Sequence, residues 1–286
     1  MSIRTFLASA AVAAGMALAP VAHSAVLTNW YLDADGSGSG NATRITSFVD
    51  IVGGAYITLT PTSLTTFTFD EWGAVRSPSH DFGLPYAVGQ THEIAALFTA
   101  SGTGTFGGDA FFTGGTLHLY SIPVGQWGST TGTFGVDGVP IASFTITGGG
   151  LQVNADGTPV ANGQVELIAK ASYLAPGYFF YDAAQTQDIA DTVNDPEGVL
   201  FGFATVNANQ IPNGQLNEDF ADEIFEYTGL PGTWINDPNL GSFFVSNNGQ
   251  FRLAVPEPGT VALIGVGLLG LALVRRRERT AGGLMA

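Results

Sequence analysis

The sequence predicts an all-β ectodomain, an antiparallel β-sandwich with one short acidic helix, followed by a separate C-terminal hydrophobic helix. Three observations predict it. Apolar and polar residues alternate with period two through most of the stretch from Val26 to Val255, as half-buried strands require. Turn-forming residues separate these runs, and β-branched and aromatic residues are plentiful while long helical periodicity is absent. No repeat of regular period and no Pro/Ser-rich linker divides the stretch, so residues 26–254 are expected to form one domain.

In chain order, residues 1–25 read as a secretory signal peptide. Arg4 supplies a positive n-region, residues 6–19 an apolar run, Pro20 a break, and Ala22-His23-Ser24 the small residues Ala22 and Ser24 at −3 and −1 that cleavage needs. This implies export through the Sec translocon and removal by signal peptidase. Along the ectodomain, Thr65-Phe67-Phe69, Ile94-Ala96-Phe98 and Ala142-Phe144-Ile146 each share one strand face. Val165-Leu167-Ala169 are expected to face inward, with Glu166 and Lys170 outward, and Val199-Phe201-Phe203 to repeat that pattern. Asp137-Gly138 and Asn248-Gly249 suit two-residue hairpin turns, and Gly53-Gly54 and Gly148-Gly149-Gly150 mark further breaks. Residues 182–197 are polar and acidic and read as a long surface loop. One helix follows: Asn217 caps it, Glu218 and Asp219 complement its dipole, and Phe220, Ile224 and Tyr227 form its apolar stripe. Gly229 and Pro231 stop it. A last strand at about Gln250 to Val255 runs into Pro256 without a flexible stalk.

Charge excludes several partners. The chain has nine Lys+Arg against 24 Asp+Glu, a net −15. Between residues 26 and 255 only Arg44, Arg76, Lys170 and Arg252 are basic, and of the 24 acids only Glu257 and Glu278 lie outside; four against 22 gives −18. Capture of nucleic acid or of an anionic bilayer needs clustered cations, so neither fits this block. The absence of cysteine excludes disulfides, thiolate metal sites and a Cys nucleophile.

Several motifs carry candidate chemistry. Gly102-Thr103-Gly104-Thr105-Phe106-Gly107 matches a dinucleotide fingerprint only literally, because residues 108–113 read as strand where the fingerprint needs a helix. Asp33 and Asp35, in a Gly/Ser-rich loop, resemble the start of a calcium loop, but Arg44 stands where an EF-hand needs its bidentate Glu. A looser Ca2+ site and a plain Asx-bonded turn both remain open there. Glu218, Asp222 and Glu226 share a helix face that needs either solvent or a divalent cation. Trp30, Trp72, Trp127 and Trp234 could stack on sugars or pack in the core. No catalytic constellation emerges. Asp70 and Glu71 adjoin Trp72 but point to opposite faces of a strand, and His118 between Leu117 and Leu119 is expected to face solvent. Ser79-His80-Asp81 are consecutive, whereas a triad converges from separate segments. Leu230-Pro231-Gly232-Thr233-Trp234 lacks the last glycine of a sortase motif.

The C-terminus carries the clearest signal. Pro256-Glu257-Pro258 precedes an uncharged run over residues 260–274, and Arg275, Arg276 and Arg277 close it, with Arg279 just beyond. Fifteen helical residues span about 22 Å at 1.5 Å each, a marginal membrane span, and the arginines fix its far end in the cytoplasm. This order of motif, helix and arginine cluster over residues 255–279 resembles the PEP-CTERM sorting signal of Gram-negative bacteria, with residues 280–286 a cytoplasmic tail. The resemblance implies transient inner-membrane anchoring and processing by exosortase, with Glu257 the hallmark residue. Residues 170–180 (KASYLAPGYFF), 200–205 (LFGFAT) and 243–253 (FFVSNNGQFRL) are similar to the flocculation-associated members of that group. That similarity implies a surface or extracellular-matrix protein that retains exopolysaccharide in flocs or biofilm. The expected function is therefore non-enzymatic; a secreted glycan-active hydrolase and a self-assembling structural subunit are the alternatives.

Overall fold

The computed structural model describes residues 24–128, 134, 138–161, 163–194 and 199–256. The signal peptide up to His23, Asp137, Glu257, Pro258, the hydrophobic helix, Arg275 to Arg277 and the tail lie outside the described residues. Val26–Ala254 form one compact unit. Its elements begin with three short strands, β1 (Ser24–Val26), β2 (Trp30–Leu32) and β3 (Thr43–Ile45). Six long ones follow: β4 (Val49–Pro61), β5 (Thr66–His80), β6 (His92–Thr105), β7 (Asp109–Pro123), β8 (Val139–Gln152) and β9 (Gly163–Leu174). After these come β10 (Phe179–Phe180), helix α1 (Ile189–Asn194), β11 (Phe201–Gln210), helix α2 (Glu218–Thr228) and β12 (Ser242–Pro256).

The expected sandwich is a closed barrel instead. Strands β4 to β9, then β11 and β12, are each antiparallel to the next, and β12 then pairs with β4, from Ser242 opposite Thr58 to Phe251 opposite Val49. A sandwich leaves sheet edges; this pairing removes them. The reason lies in strand length. The eight run from 10 to 15 residues, against a usual length of about 5–6, and long twisted strands joined in sequence tilt and coil until first meets last.

Glycines expected to break strands instead lie inside them. Gly53 and Gly54 are in β4, and Gly148 to Gly150 in β8 beside a register shift. Gly149 has φ +119° and faces the Glu166 carbonyl so closely that a side chain there would collide with it. Asn248-Gly249 is likewise mid-strand in β12, where Asn248 sits between Asn207 of β11 and Val52 of β4. Inside the barrel, glycines receive aromatic rings from the neighbouring strand. The Phe98 ring lies on Gly73, Phe69 on Gly102 and Phe67 on Gly104, each where a Cβ would overlap it. An eight-stranded lumen is wide enough for filling side chains or for one small ligand, and these pairs let large rings lie flat against the wall.

The shared faces expected for Phe67-Phe69, Ile94-Ala96-Phe98 and Ala142-Phe144-Ile146 are observed and turn inward, as does the expected face of Val165-Leu167-Ala169: Phe67, Ile94, Phe144 and Ala169 are buried, and Val165 and Leu167 line the lumen. Thr65, expected on the face of Phe67 and Phe69, instead lies exposed in the turn before β5. The next strand is turned the other way. Ala204, Val206 and Ala208 line the lumen, while Phe201 and Phe203 lie half-buried outside, ring centroids 6.2 Å apart. Residues 182–194, read as loop, contain α1, whose Ile189 and Ala190 are fully buried.

α2 forms as its capping residues dictate. Asn217 accepts the Phe220 N–H at 3.1 Å, and Gly229 ends the helix in the left-handed region at φ 66°. Ala221 and Ile224 pack on Tyr56, Ala74, Leu97 and Phe244, outward residues of β4, β5, β6 and β12, so the helix covers the seam at which the barrel closes. Complete burial of Ile224 contributes roughly 1.5–3 kcal/mol. At one end of the lumen stands a second sheet, ordered β10-β2-β3. Ser121, level with Ile94, donates to the Ala34 carbonyl, and Gln90 Nε2 donates to Leu32 O at 2.7 Å.

The aromatic–glycine pairing predicts a sharp contrast. Gly102→Val should cost about 1–3 kcal/mol or more, through collision with the Phe111 carbonyl and overpacking against the Phe69 ring. Gly148→Val, where a Cβ meets nothing within 4 Å, should stay within about 0.5 kcal/mol. Urea denaturation of the two variants checks both values.

Candidate functional site

The barrel encloses a cavity of about 110 Å³. Its walls are hydrocarbon: Ile57, Val75, Phe98, Leu119, Leu167 and Val206 come from six different strands. Only Glu71 and Arg76 among the lining residues ionise. Arg76 turns away, its Nη1 3.5 Å from Glu93 Oε2 and its guanidinium 5.6 Å from the Trp127 ring centroid. Among the described residues Glu71 therefore stands as the cavity's one carboxyl. Phe67, Phe69, Glu71, Gly73 and Val75 alternate along the inward face of β5, where Glu71 is half-buried and lines the cavity. No described group hydrogen-bonds its side chain. Burial alone, with no opposing charge, pushes its pKa to about 7. A single raised carboxyl can hold a proton or pair with a cation. Glycoside hydrolysis would need a second carboxyl across the cavity, and none lines it among the described residues.

The residues singled out from the sequence are spread over the outside and ends of the barrel. Asp33 is fully buried and accepts Gly38 N–H and Gln185 Nε2, each at 2.9 Å, while its Oδ1 has no partner. Asp35 accepts Ser37 N–H at 3.1 Å and Thr91 N–H at 3.4 Å. Burial, then a hydrogen bond shared with Asp35, pushes the Asp33 pKa up. Burial acts on Asp35 in the same direction, but hydrogen bonds from Asp33, Ser37 and Thr91 outweigh it and hold Asp35 low. The loop is thus largely an Asx-bonded turn, and among the described residues no three His, Cys, Asp or Glu side chains gather as a metal site. On α2, Glu218, Asp222 and Glu226 are exposed, and Asp222 accepts the Trp234 indole N–H at 2.7 Å.

The tryptophans are mostly structural. Trp30 is 3% exposed and lies 6.2 Å from Phe179, so of the two roles open to it, sugar stacking and core packing, it takes the core. Trp72, Trp127 and Trp234 pack against the cluster beneath α2. His118 does face outward, its Nδ1 2.9 Å from Ser143 Oγ. His80 is a tie rather than a base: Nδ1 meets Asp81 Oδ2 at 2.9 Å and Nε2 meets Pro85 O at 3.2 Å. Burial would raise the Asp81 pKa, but His80 and the N–H groups of Thr46, Ser47 and Phe48 together hold it below the usual carboxylate range.

The barrel's last strand ends at Pro256, the first residue of the Pro-Glu-Pro triplet. Comparison with known families matches the PEP-CTERM protein-sorting motif at residues 254–277. The chain carries a PEP-CTERM sorting signal. It is accordingly an exported protein, sorted to the cell surface by exosortase. Pro256, Glu257, Pro258 and Arg275 to Arg277 all fall within the matched stretch. No curated protein and no solved structure matches the chain. The PEP-CTERM signal thus assigns destination, while the barrel's chemistry must be read from its own residues.

Glu71 is the site residue that sequence reasoning missed. The signal was present: it continues the Phe67-Phe69 alternation and so belongs to the apolar face, whereas Asp70 does not. Its raised pKa gives a signed expectation. The folded protein holds a proton that the unfolded chain releases near pH 4.5, so Glu71's contribution is full below that value and is lost as pH rises through about 7. Stability of wild type should therefore decline between those limits, and Glu71→Gln should remove that part of the decline. Urea titrations at half-unit pH intervals measure it.

Proposed function

We propose that the processed chain is a non-catalytic surface or extracellular-matrix protein that supports exopolysaccharide retention, adhesion and floc or biofilm formation. The observation that carries this reading is the sorting signal joined directly to the barrel's closing strand, so that what exosortase handles is a folded domain without a stalk. Segments 170–180, 200–205 and 243–253, which resemble flocculation-associated proteins, supply the end of β9, the first half of β11 and most of β12. These strands are hydrogen-bonded neighbours in one wall, with Phe201 opposite Lys170 and Phe203 opposite Arg252. Binding rather than turnover is supported by the separation of Asp70 and Glu71 onto opposite faces and by the engagement of both His80 ring nitrogens.

Charge sets a condition on this role. A domain of net −18 repels an acidic glycan unless divalent cations bridge the two or the glycan is neutral. The exposed acids Glu218 and Glu226 are available to such ions. Ca2+ is therefore expected to be required for binding acidic exopolysaccharide, and excess EDTA to abolish it; retention unchanged in EDTA would remove the bridging role. Intact mass and cell fractionation test the larger reading. Both ends should be gone from a protein recovered in the surface or matrix fraction. Full-length chain held uncut in the inner membrane, or release of sugars from matrix polysaccharide, would overturn it.

A further inference from the structure

The lumen is built in a way that matrix attachment does not explain. Along β5 its lining runs from Glu71 to Ser77, and Leu151, level with Phe67 through Ala110 and Gly104, lines it beyond the Glu71 end together with Pro159. Glu71 interrupts this hydrocarbon near the Pro159 end. The other polar group not tied to the wall is Asn247, which faces Gly53; Gly53 in turn faces Val75. That is four residues along β5 from Glu71, roughly 13 Å at about 3.3 Å per residue. A long narrow apolar channel with one acid near its end fits a linear molecule rather than a compact one.

We propose that the barrel lumen binds a single-chain alkyl amine, its protonated head on Glu71 and its hydrocarbon tail along the apolar wall toward Asn247. A buried carboxylate without a partner is costly, and a cation relieves that cost more than a neutral donor does. The groups around Glu71 offer no substitute. Ile57 of β4 and Ala100 of β6 stand directly opposite it, Phe98 lies diagonal to it, and Leu167, Val206 and Val245 also line the lumen. Arg76 is committed to Glu93 on the outer side. The net −18 of the domain draws cations and repels alkyl carboxylates of the same length.

The experiment titrates the full chain in lipid nanodiscs, with empty nanodiscs as blank, using n-octylamine, n-octanol and octanoate in a calorimeter. Octylamine should bind saturably at one site, at least tenfold more tightly than the other two. Binding at pH 7 should release protons, seen as heats that change with the buffer's ionisation enthalpy. Glu71→Gln, which keeps side-chain shape, should weaken octylamine at least tenfold while leaving octanol within about twofold. Ala204→Phe, which fills the lumen but spares Glu71, should abolish octylamine binding. Octanol or octanoate binding as tightly as octylamine, no saturable binding by wild type, or no proton release would each overturn the proposal, the last two without reliance on any variant.

Discussion

The hydrogen-bonded seam between β12 and β4 is the constraint from which the rest of this protein follows. With it, eight long strands have no edge and enclose a lumen; without it, they are a curved sheet with both faces wet. Closure at eight strands fixes the interior width, and the width fixes what can stand inside. Phe67, Phe69 and Phe98 fit only because Gly104, Gly102 and Gly73 give up their side chains to them. The seam is also where the wall is most heavily covered from outside. Phe220 of α2 rests on Gly54, one of the glycines of β4, and Tyr56 and Phe244 meet beneath the helix at 4.7 Å.

Local chemistry was legible in the sequence, and the long-range pairing was not. The alternation of Phe67-Phe69 and of Ile94-Ala96-Phe98 reads directly as wall, and Asn217 and Gly229 bracket α2 as their capping roles require. Nothing in β4 or β12 announces that they are partners, because antiparallel register leaves no local mark. Glycine misled for a physical reason. A residue without a Cβ serves a tight turn and a close interstrand approach equally well, so Asn248-Gly249 and Gly148 to Gly150 read the same in either setting. Phe201 and Phe203 misled because aromatic bulk signals burial, while in β11 the lumen is lined by the smaller Ala204, Val206 and Ala208. The candidate site was half legible. Its face could be counted from Phe67, but that the face encloses a cavity depends on closure.

The polarity of the barrel also sorts its chemistry. Exposed outward positions carry Thr60, Thr68, Asp70, Thr103, Thr116 and Thr145, while inward ones, apart from glycines and Glu71, Ser77 and Asn247, are aliphatic or aromatic. Barrels that cross a membrane have the reverse arrangement, with lipid-facing hydrocarbon and a polar lumen. Among the described residues no helix is long and apolar enough to cross a membrane either. Acids on the outside interact with solvent and ions, whereas Glu71, the acid inside, meets only hydrocarbon. The same residue type therefore has two unrelated chemistries in one domain, divided by a single sheet's thickness.

Because the strand that completes the barrel is also the last one in the ectodomain, order of synthesis matters. β4 leaves the ribosome early and must wait for β12, with nearly the whole domain between them, before its second edge is satisfied. Such distant pairing makes folding slow and leaves a sticky margin open meanwhile. Prematurely terminated chains can never complete the ring, and they also lack the C-terminal address. Translation to the end is thus a shared requirement for a sealed body and for its delivery, so that unfinished copies carry no ticket to the surface.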